Sequence, residues 1–282
     1  MTQPVSGQKQ ELKVKFWGVR GTRMVSDCNE VIYGQNTICV EVQCGDRILV
    51  FDAGSGIIQL GNDLIDRGIT SMDLFLSHAH YDHVEGIPFF QPFYNQNFTT
   101  HFWAGRLNGI RHTRDIVDGL MKEPYFPIKQ EKFLSTIHYR EIQDYQTIDL
   151  GGGIKVETTR LMHPGGATGY KVLFDGRSFA FVTDTTHAID QQDQTLLDFV
   201  RDVDLFAYDC SYLDVEFSRF ASFGHSTWEE GARLKAKSGA KAMMGFHHMP
   251  YRSDDELDAI AKMLEKECPG CRVAKDHDTI IL

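Results

Sequence analysis

Short runs rich in hydrophobic and β-branched residues, broken by Gly, Asn and Asp, dominate the start of the chain. Strands are predicted for ELKVKFWGV, TICVEVQ and RILVFDAG. A helix is predicted next, in IIQLGNDLIDRG, and it ends at Gly68. The brief apolar run MDLFLS then predicts a buried strand.

The same alternation returns further along the chain. Residues 106–121 predict a helix, and the Pro- and aromatic-rich KEPYFPIK predicts a loop. A second series of strands begins near Phe133, with KFLSTIHYREI, IKVETTRLM, GYKVLFDG and SFAFVTD. A helix at about residues 189–200 precedes the strand DLFAYDC, and KAMMGFHH predicts a further strand.

Two later helices carry start signals. Ser226-x-x-Glu229 and Ser253-x-x-Glu256 both fit the capping box, in which two side chains satisfy the first free backbone N–H groups. Strands and helices therefore alternate twice, which predicts an α/β (α+β) fold of two packed sheets with helices outside. We expect a single domain over residues 1–282, because no repeat, linker or low-complexity tract interrupts the sequence.

Composition and charge narrow the class of protein. The 282 residues are 42% hydrophobic and 24% charged, which is ordinary for a globular protein. No apolar run approaches the ~18–20 residues that span a bilayer, and the N-terminus is polar, so we expect a cytoplasmic protein without a membrane partner. The net charge of −10 argues against a nucleic-acid polymer as partner, but not against a small anion held at a metal.

Six cysteines are present, and only Cys268-Pro-Gly-Cys271 has a suggestive spacing. One CxxC without a second pair is weak evidence for zinc. We expect reduced thiols, as is general for cytosolic cysteines.

The stretch SHAHYDHVEG places His78, His80, Asp82 and His83 within six positions, directly after a predicted strand. Side chains alternate with period two on an extended chain, so the first two histidines point the same way. Asp82 and His83 lie in the next turn and face an adjacent point. The four residues offer nitrogen ligands for one metal ion and a mixed set for a second.

Further candidate ligands stand at other predicted strand ends. His163 follows IKVETTRLM, Asp184 follows SFAFVT, and the pair His247 and His248 ends KAMMGF. Counting from the start of that last strand favours His247 as the ligand, whereas the Arg-Ser-Asp downstream favours His248. We expect His247, with His248 behind the ligands or near substrate.

These residues resemble the metallo-β-lactamase superfamily, whose most specific signature is His-x-His-x-Asp-His followed by a glycine, here Gly86. The resemblance covers nearly the whole chain. It implies a four-layer αββα sandwich with two divalent metal ions, usually zinc, at one edge; manganese and iron stay open because His/Asp sets accept all three. It assigns ligands to the first ion (His78, His80, His163), to the second (Asp82, His83, His247) and to a bridge between them (Asp184).

Three stretches, FWGVRGT, YGQNTICVEV and FDAGSGI, resemble the phosphodiesterase branch of that superfamily. The branch includes tRNA 3′-processing endonucleases, phosphoribosyl cyclic phosphodiesterases and class II-type cyclic-nucleotide phosphodiesterases. An aspartate as the bridging ligand is unlike the true β-lactamases, which carry a cysteine there.

The stretch FGHSTWEEGARLKAKSGAK is similar to the Gly-His-Ser-Thr segment of the tRNA-processing enzymes, whose histidine assists phosphodiester cleavage. That residue is His225 here, at a predicted helix N-terminus, where N–H groups favour anions. It would contact phosphate or protonate the leaving alkoxide. Asp209 occupies the position of the acidic partner, so we count both with Asp82 as catalytic candidates.

Other residues have weaker signals. Asp52 is expected to brace the metal loop through hydrogen bonds rather than to bind metal. His187 either touches substrate or lies in an exposed loop. Tyr125 forms an aromatic wall for a base or sugar, or else anchors its loop.

Together these observations predict a two-metal hydrolase of a small anionic phosphodiester, working by metal-activated hydroxide with help from His225. A 3′,5′-cyclic nucleotide is the first choice and a cyclic ribose phosphate the second. The alternative is a lactone or carboxyl-ester hydrolase, for which His225 has no evident use. A tRNA 3′-end endonuclease and a non-catalytic metal sensor come third, the former because no Gly/Pro-rich basic arm is present. A homodimer stays open.

Overall fold

The computed structural model describes residues 10–27, 32–105, 112–188, 191 and 193–282. Within these ranges the chain forms strands of three to eight residues. In chain order they are β1 Leu12–Gly18, β2 Cys39–Cys44, β3 Arg47–Phe51, β4 Ser71–Leu76, β5 Thr99–Ala104, β6 Thr136–Glu141, β7 Thr147–Gly151, β8 Ile154–Leu161, β9 Ala167–Phe174, β10 Arg177–Val182, β11 Leu205–Asp209, β12 Ala242–Phe246, β13 Cys271–Val273 and β14 Thr279–Ile281.

The strands form two seven-stranded mixed sheets, with orders β14-β1-β2-β3-β4-β5-β6 and β13-β12-β11-β10-β9-β8-β7. Strands β3 to β6 are parallel neighbours, and so are β10 to β13. Strand β8 runs in the direction of β10, because both pair antiparallel with β9. The loops that follow β8, β10, β11 and β12 therefore emerge at one edge of the second sheet, the usual place for a site in sheets of this kind.

Seven α-helices flank the sheets in the described ranges: α1 Gly56–Asp66, α2 Tyr81–Val84, α3 Thr113–Leu120, α4 Gln194–Phe199, α5 Asp214–Phe220, α6 Trp228–Ser238 and α7 Asp254–Glu267. Helix α1 buries Ile57, Leu60 and Leu64, spaced along one face, in the cluster that covers the outside of the first sheet. Helices α4, α6 and α7 do the same for the second sheet.

An aromatic core lies between the two sheets. Phe51 of β3 stacks on Phe75 of β4, with ring centroids 5.4 Å apart, and on Phe181 of β10, at 5.5 Å. All three rings are fully buried. Such pairs contribute about 0.5–1.5 kcal/mol beyond the area that they bury. The two sheets and their outer helices confirm the predicted αββα sandwich.

The helix starts differ in part from prediction. The capping box at Ser253 and Glu256 is confirmed. The box predicted at Ser226 is wrong by one residue: α6 begins at Trp228, and Thr227 accepts the hydrogen bond from the backbone N–H of Glu230 at 3.1 Å. Ser226 cannot cap because its hydroxyl lies between His187 and Tyr208 instead.

Two predicted helices are shorter than expected within the described ranges. The helix predicted at 106–121 is α3, which begins at Thr113, and residues 106–111 lie outside the described part. The helix predicted at 189–200 is α4, which begins at Gln194; residues 189, 190 and 192 lie outside that part. None of the helices in the described ranges combines the length and the apolar character needed to cross a membrane.

Reduced thiols were expected throughout, and for one pair that expectation is wrong. Cys268 and Cys271, at the end of α7 and the start of β13, are paired as a disulfide in the structure, with Cα atoms 5.5 Å apart. Cys39, Cys44 and Cys210 are free thiols, and Cys28 lies outside the described residues.

Candidate metal centre

Three histidine nitrogens converge where β4 and β8 end. The Nδ1 atom of His80 lies 2.9 Å from Nε2 of His78 and 3.0 Å from Nε2 of His163. The remaining nitrogens of the outer two rings have partners: Nδ1 of His78 lies 3.0 Å from Ser77 Oγ, and Nδ1 of His163 donates to the carbonyl of Gly224 at 2.9 Å. The Nε2 atoms therefore present lone pairs to a common point, as metal ligands do.

A second group forms from Asp82, His83 and His247. Oδ2 of Asp82 lies 3.4 Å from Nε2 of His83 and 3.3 Å from Nε2 of His247. These two Nε2 atoms are buried and have no hydrogen-bond partner among the described residues. A buried nitrogen without a partner is costly, so its free lone pair indicates a ligand in this position.

The carboxylate of Asp184 stands between the two groups. Its Oδ2 atom is 3.6 Å from Nε2 of both His78 and His163. Its Oδ1 atom is 3.2 Å from Nε2 of His83 and 3.3 Å from Nε2 of His247. One oxygen thus faces each group, which is the geometry that a bridging ligand requires.

Asp52 holds His83 from behind. Its Oδ2 atom accepts from Nδ1 of His83 at 2.7 Å and from the hydroxyl of Ser77 at 2.7 Å, and its Oδ1 atom accepts from the backbone N–H of Ser77 at 2.7 Å. Burial raises the pKa of Asp52, and these donors oppose the rise. The bracing position matches the expectation for this residue.

Ser211 holds His247 in a similar way. Its hydroxyl donates to Oδ1 of Asp209 at 2.6 Å and lies 2.9 Å from Nδ1 of His247. Because the hydroxyl proton is used on the carboxylate, the serine oxygen accepts from the ring. His247 therefore has the same tautomer as His83, and its Nε2 atom makes no hydrogen bond to the described residues.

The protonation of the first group suits a metal. Burial lowers the pKa of His78, His80 and His163, although the charge of Asp184 opposes the shift in each case. The rings are therefore neutral near pH 7, which ligation requires.

In the second group the charges of the carboxylates outweigh burial and raise the pKa of both histidines. Burial lowers the pKa of His247, but Asp184 and Asp209 outweigh it and raise the value to about 9. The pKa of His83 is raised for the same reason, chiefly by Asp184 and then Asp82. Both shifts mean that the surrounding carboxylates favour positive charge at this point, which a bound cation would supply. Divalent ions fit both groups by donor type, geometry and charge.

His225 lies against this cluster. Its Nδ1 atom donates to Oδ2 of Asp209 at 2.8 Å and is 3.8 Å from Oδ2 of Asp184. Asp209 is fully buried; burial raises its pKa, but the positive charges of His225 and His247 bring it below the usual value. The carboxylate therefore orients His225 and leaves its Nε2 atom free of that bond.

The residues before α6 each support the site. Gly224 has φ of +87°, and its carbonyl accepts from His163; a Cβ there would lie 2.2 Å from Cδ of Pro164. Ser226 binds His187 Nδ1 at 2.8 Å. His225 itself lies two residues before the cap of α6, rather than at the helix start that was predicted.

A cleft of about 370 Å³ opens over the histidine cluster. Several residues of the centre line it, as does Thr22, whose N–H donates to Asp82 Oδ2 at 2.6 Å. Its lining is Thr22, Ala79, His80, Tyr81, Asp82, His163, Asp184, Phe223 and His225.

The model of the beta-lactamase superfamily domain matches residues 47–248, which is most of the chain. The chain belongs to the metallo-β-lactamase superfamily. The family predicted from the sequence is confirmed, and the superfamily implies divalent metal ions that the His/Asp groups could hold.

Curated proteins and solved structures that are similar to this chain extend the comparison. Ribonuclease Z of Nanoarchaeum equitans is 21% identical over an alignment that covers 87% of this chain and 88% of that protein. The metallo-β-lactamase fold protein YhfI of Bacillus subtilis has a TM-score of 0.73 at 18% identity, and the alignment covers 97% of this chain and 100% of that chain. A diphosphatase from the PhnP family has a TM-score of 0.70 at 17% identity, with 96% and 97% covered. The two structures share the fold.

Two residues predicted near substrate, His248 and Tyr125, lie outside the lining of the cleft. His248 is buried, donates from Nε2 to the carbonyl of Ala274 at 2.9 Å and packs edge-on to Tyr33, because only His247 turns toward the centre. Burial lowers its pKa to about 3. Tyr125 is 89% exposed and is not part of the cleft lining.

His187 lies beside the centre but outside the cleft lining. Its ring stacks on Phe217 of α5, with centroids 3.9 Å apart, and its Nδ1 atom is taken by Ser226. The contact with Ser226 places it behind the loop that carries His225.

Sequence reasoning missed Ser77, Ser211, Gly224 and Thr22 as supports of the centre. Ser77 directly precedes His78, which was a usable signal because ligand histidines need a partner for the second nitrogen. Ser211 and Gly224 act across the fold, on His247 and His163, so nothing in the sequence near those ligands marks them.

Proposed function

We propose that this chain is a two-metal phosphodiesterase that hydrolyses a small phosphodiester, with a 3′,5′-cyclic nucleotide as the first choice and a cyclic ribose phosphate as the second. The observation that carries this proposal is His225, fixed by Asp209 at 2.8 Å directly beside the bridging carboxylate of Asp184. A histidine in that position suits a phosphate and its leaving oxygen.

The donor groups divide between two ions, with Asp184 shared. His78, His80 and His163 would hold the first, and Asp82, His83 and His247 the second. Two divalent ions there would lower the pKa of a bound water and neutralise phosphoryl oxygens. Zinc is the first expectation; manganese and iron suit the same His/Asp set.

His225 would act on the leaving group. Its Nδ1–H is held by Asp209, so the proton on Nε2 is the one available to the cleft. Donation of that proton to the departing alkoxide avoids a strongly basic leaving group, and the imidazolium form also binds the phosphate.

Asp209 and Asp82 would have different parts. Asp209 touches both His225 and, through Ser211, His247, so it orients the acid and a ligand at once. Asp82, whose Oδ2 accepts from the N–H of Thr22, would help to hold the second ion, which would supply the activated water.

The size of the substrate rests on indirect support. The cleft measures about 370 Å³, which suits a nucleotide-sized ligand, and the net charge of −10 disfavours an RNA polymer. The curated relative named above is a ribonuclease Z, so exclusion of nucleic acid stays a prediction. A cytoplasmic location, a homodimer and a single domain over residues 1–282 also stay predictions.

A lactone or carboxyl-ester hydrolase is the second candidate. The same two ions and the same bridge would serve it, whereas the pair His225 and Asp209 would have no task in opening a lactone. The test is a panel of four substrates with metal-loaded protein: bis(p-nitrophenyl) phosphate, cyclic AMP, a cyclic ribose phosphate and a homoserine lactone.

Wild type and His225→Ala are compared on each substrate, with His138→Ala, an exposed histidine of β6, as the matched control. Turnover of cyclic AMP or of the cyclic ribose phosphate that falls in His225→Ala and not in the control supports the proposal. Lactone turnover that is indifferent to His225, with no phosphodiester turnover, refutes it in favour of the second candidate. Bound metal without turnover of any of the four favours the sensor.

A further inference from the structure

Two exposed aromatic side chains border the cleft above the metal centre. Tyr81 is 77% exposed and Phe223 is 57% exposed, and both belong to the cleft lining. Large apolar side chains with this exposure cost free energy in water unless something covers them. Both side chains lie in the cleft that also contains the candidate metal ligands, so a bound substrate is the group that would cover them.

The two rings come from different halves of the fold. Tyr81 is the first residue of α2 and directly follows His80, so the first sheet carries it through the loop after β4. Phe223 precedes Gly224 in the segment between α5 and α6, so the second sheet carries it. The cleft lies between these segments, with one aromatic residue on each.

Phe223 is supported from below by other rings. It packs on Phe220 with centroids 5.9 Å apart, Phe220 stacks on Tyr212 at 4.7 Å, and Tyr212 meets His225 edge-on at 6.1 Å. A continuous row of aromatic rings thus connects the exposed face of Phe223 to the histidine beside the metal centre. Within the described part of the chain, the side chain of Tyr81 makes no hydrogen bond or ring contact, so its face is free for a ligand.

We propose that Tyr81 and Phe223 form a base-binding subsite at the mouth of the cleft, and that the natural substrate is a phosphodiester that carries a planar aromatic base. This inference rests on the proposed function and deepens it, because it separates nucleotides from sugar phosphates without a base. Aromatic faces bind any base by stacking, so the subsite selects for the presence of a base rather than its identity.

The test uses two substrates that differ only in the base. Adenosine 3′,5′-cyclic phosphate is compared with methyl riboside 3′,5′-cyclic phosphate, in which a methoxy group replaces adenine. The variants are Tyr81→Leu and Phe223→Leu, which keep apolar bulk but remove the aromatic face. Phe89→Leu is the matched control, since Phe89 is 53% exposed and lies outside the cleft lining. Tyr81→Phe and Phe223→Tyr keep an aromatic face.

Each leucine variant should raise KM for the adenosine substrate about 5- to 150-fold, the range measured for loss of one base stack. The KM for the methyl riboside should stay within about twofold, as should both values in Phe89→Leu. The variants that keep an aromatic face should behave as wild type. Equal changes for both substrates, or none for the adenosine substrate, overturn the subsite.

A binding measurement keeps the two proposals distinguishable. Calorimetry with metal-loaded protein compares adenosine 5′-phosphate with methyl riboside 5-phosphate, so no turnover is needed. A preference of wild type for the adenosine compound that the leucine variants lose supports the subsite even if neither cyclic substrate is hydrolysed, which would count against the proposed function alone. Wild type without a preference overturns the subsite, whereas turnover of the base-free substrate would still support a phosphodiesterase.

Discussion

The carboxylate of Asp52 lies 2.7 Å from Nδ1 of His83, and both side chains are fully buried. This bond uses the Nδ1–H of His83 and leaves Nε2 to face the position between Asp82 and Asp184, where a metal ion would bind. Asp52 also has φ of +62°, a conformation in which asparagine is among the few residues at ease. Substitution by asparagine therefore removes charge and one acceptor without straining the backbone.

We expect Asp52→Asn to weaken binding of the second ion about 10- to 100-fold, the usual effect of losing a partner behind a metal ligand. Metal titration of the stripped protein measures it. Asp73→Asn is the control, because Asp73 is equally buried on β4 but binds Arg47 and Trp103 instead. Equal metal affinity in wild type and Asp52→Asn would count against the bracing role.

Substitution of Gly224 tests whether its contact with His163 supports binding of the first ion. A Cβ at this position would lie 2.5 Å from Nδ1 of His163, so Gly224→Ala must displace the ligand ring. Gly176→Ala has a similar φ, +75° against +87°, and meets nothing within 4 Å. Both variants bear the same backbone strain of about 1–2 kcal/mol, and only the first should lose metal and phosphodiester turnover. Parallel losses in the two variants would mean that strain, not the clash, is responsible.

Substrates with different leaving groups can distinguish proton donation by His225 from phosphate binding by the same residue. Proton donation by a positioned side chain contributes about 10²- to 10⁴-fold, and it matters most for a strongly basic alkoxide. We expect His225→Ala to lower turnover of cyclic AMP by such a factor and to affect bis(p-nitrophenyl) phosphate, whose leaving group needs no proton, much less. An equal loss on both substrates would indicate that His225 only binds phosphate.

Removal of the metal should reduce stability as well as activity. The centre places the carboxylates of Asp82 and Asp184 in a buried position, where an ion that binds only the folded state adds stability that grows with the logarithm of its concentration over Kd. We expect Tm to fall in a chelator and to return when Zn²⁺ is added back. A Tm that does not respond to either treatment would argue against ions at this centre.

One acid-dependent contribution comes from Asp204, which directly precedes β11, at the opposite end of that strand from Asp209. Burial raises the pKa of Asp204, but the hydrogen bonds from Lys241 at 2.6 Å and from the N–H of Ser178 at 2.8 Å bring it below the usual value. A depressed carboxyl pKa stabilises the fold above about pH 3.9, and the contribution is lost as pH falls through the folded value. Asp204→Asn should therefore destabilise at pH 7 and match wild type in strong acid. A difference that is constant with pH would exclude this linkage.

Much of the centre could be predicted because its ligands follow strand ends. His78 and His80 share one extended stretch, and Asp184 and His247 end strands that run parallel in one sheet, so local patterns and topology suffice to bring them together. The choice of His247 over His248 depended on counting along a single strand. In the structure His247 has a left-handed φ of +61° and turns toward the centre, and its role as a ligand stays a prediction.

What the sequence could not supply is the contacts made across the fold. Gly224 holds a histidine 61 positions away, and Ser211 holds one 36 positions away. The cap of α6 is Thr227 rather than the predicted Ser226, whose hydroxyl contacts His187 and Tyr208 instead. Only the packed structure brings those groups together. For Tyr125 the sequence left a substrate wall, core packing and a loop anchor open, whereas the positions of Tyr81 and Phe223 follow from the two halves of the fold.

The central claim is that Asp184 joins two ions into one hydrolytic centre. The most direct measurement adds Zn²⁺ stepwise to stripped protein and records bound metal and phosphodiester turnover at each step, for wild type and Asp184→Asn. We predict two ions per chain in wild type, with turnover that follows the second, and a loss of both in the variant. One ion per chain with full turnover, or a variant that behaves as wild type, would contradict the account.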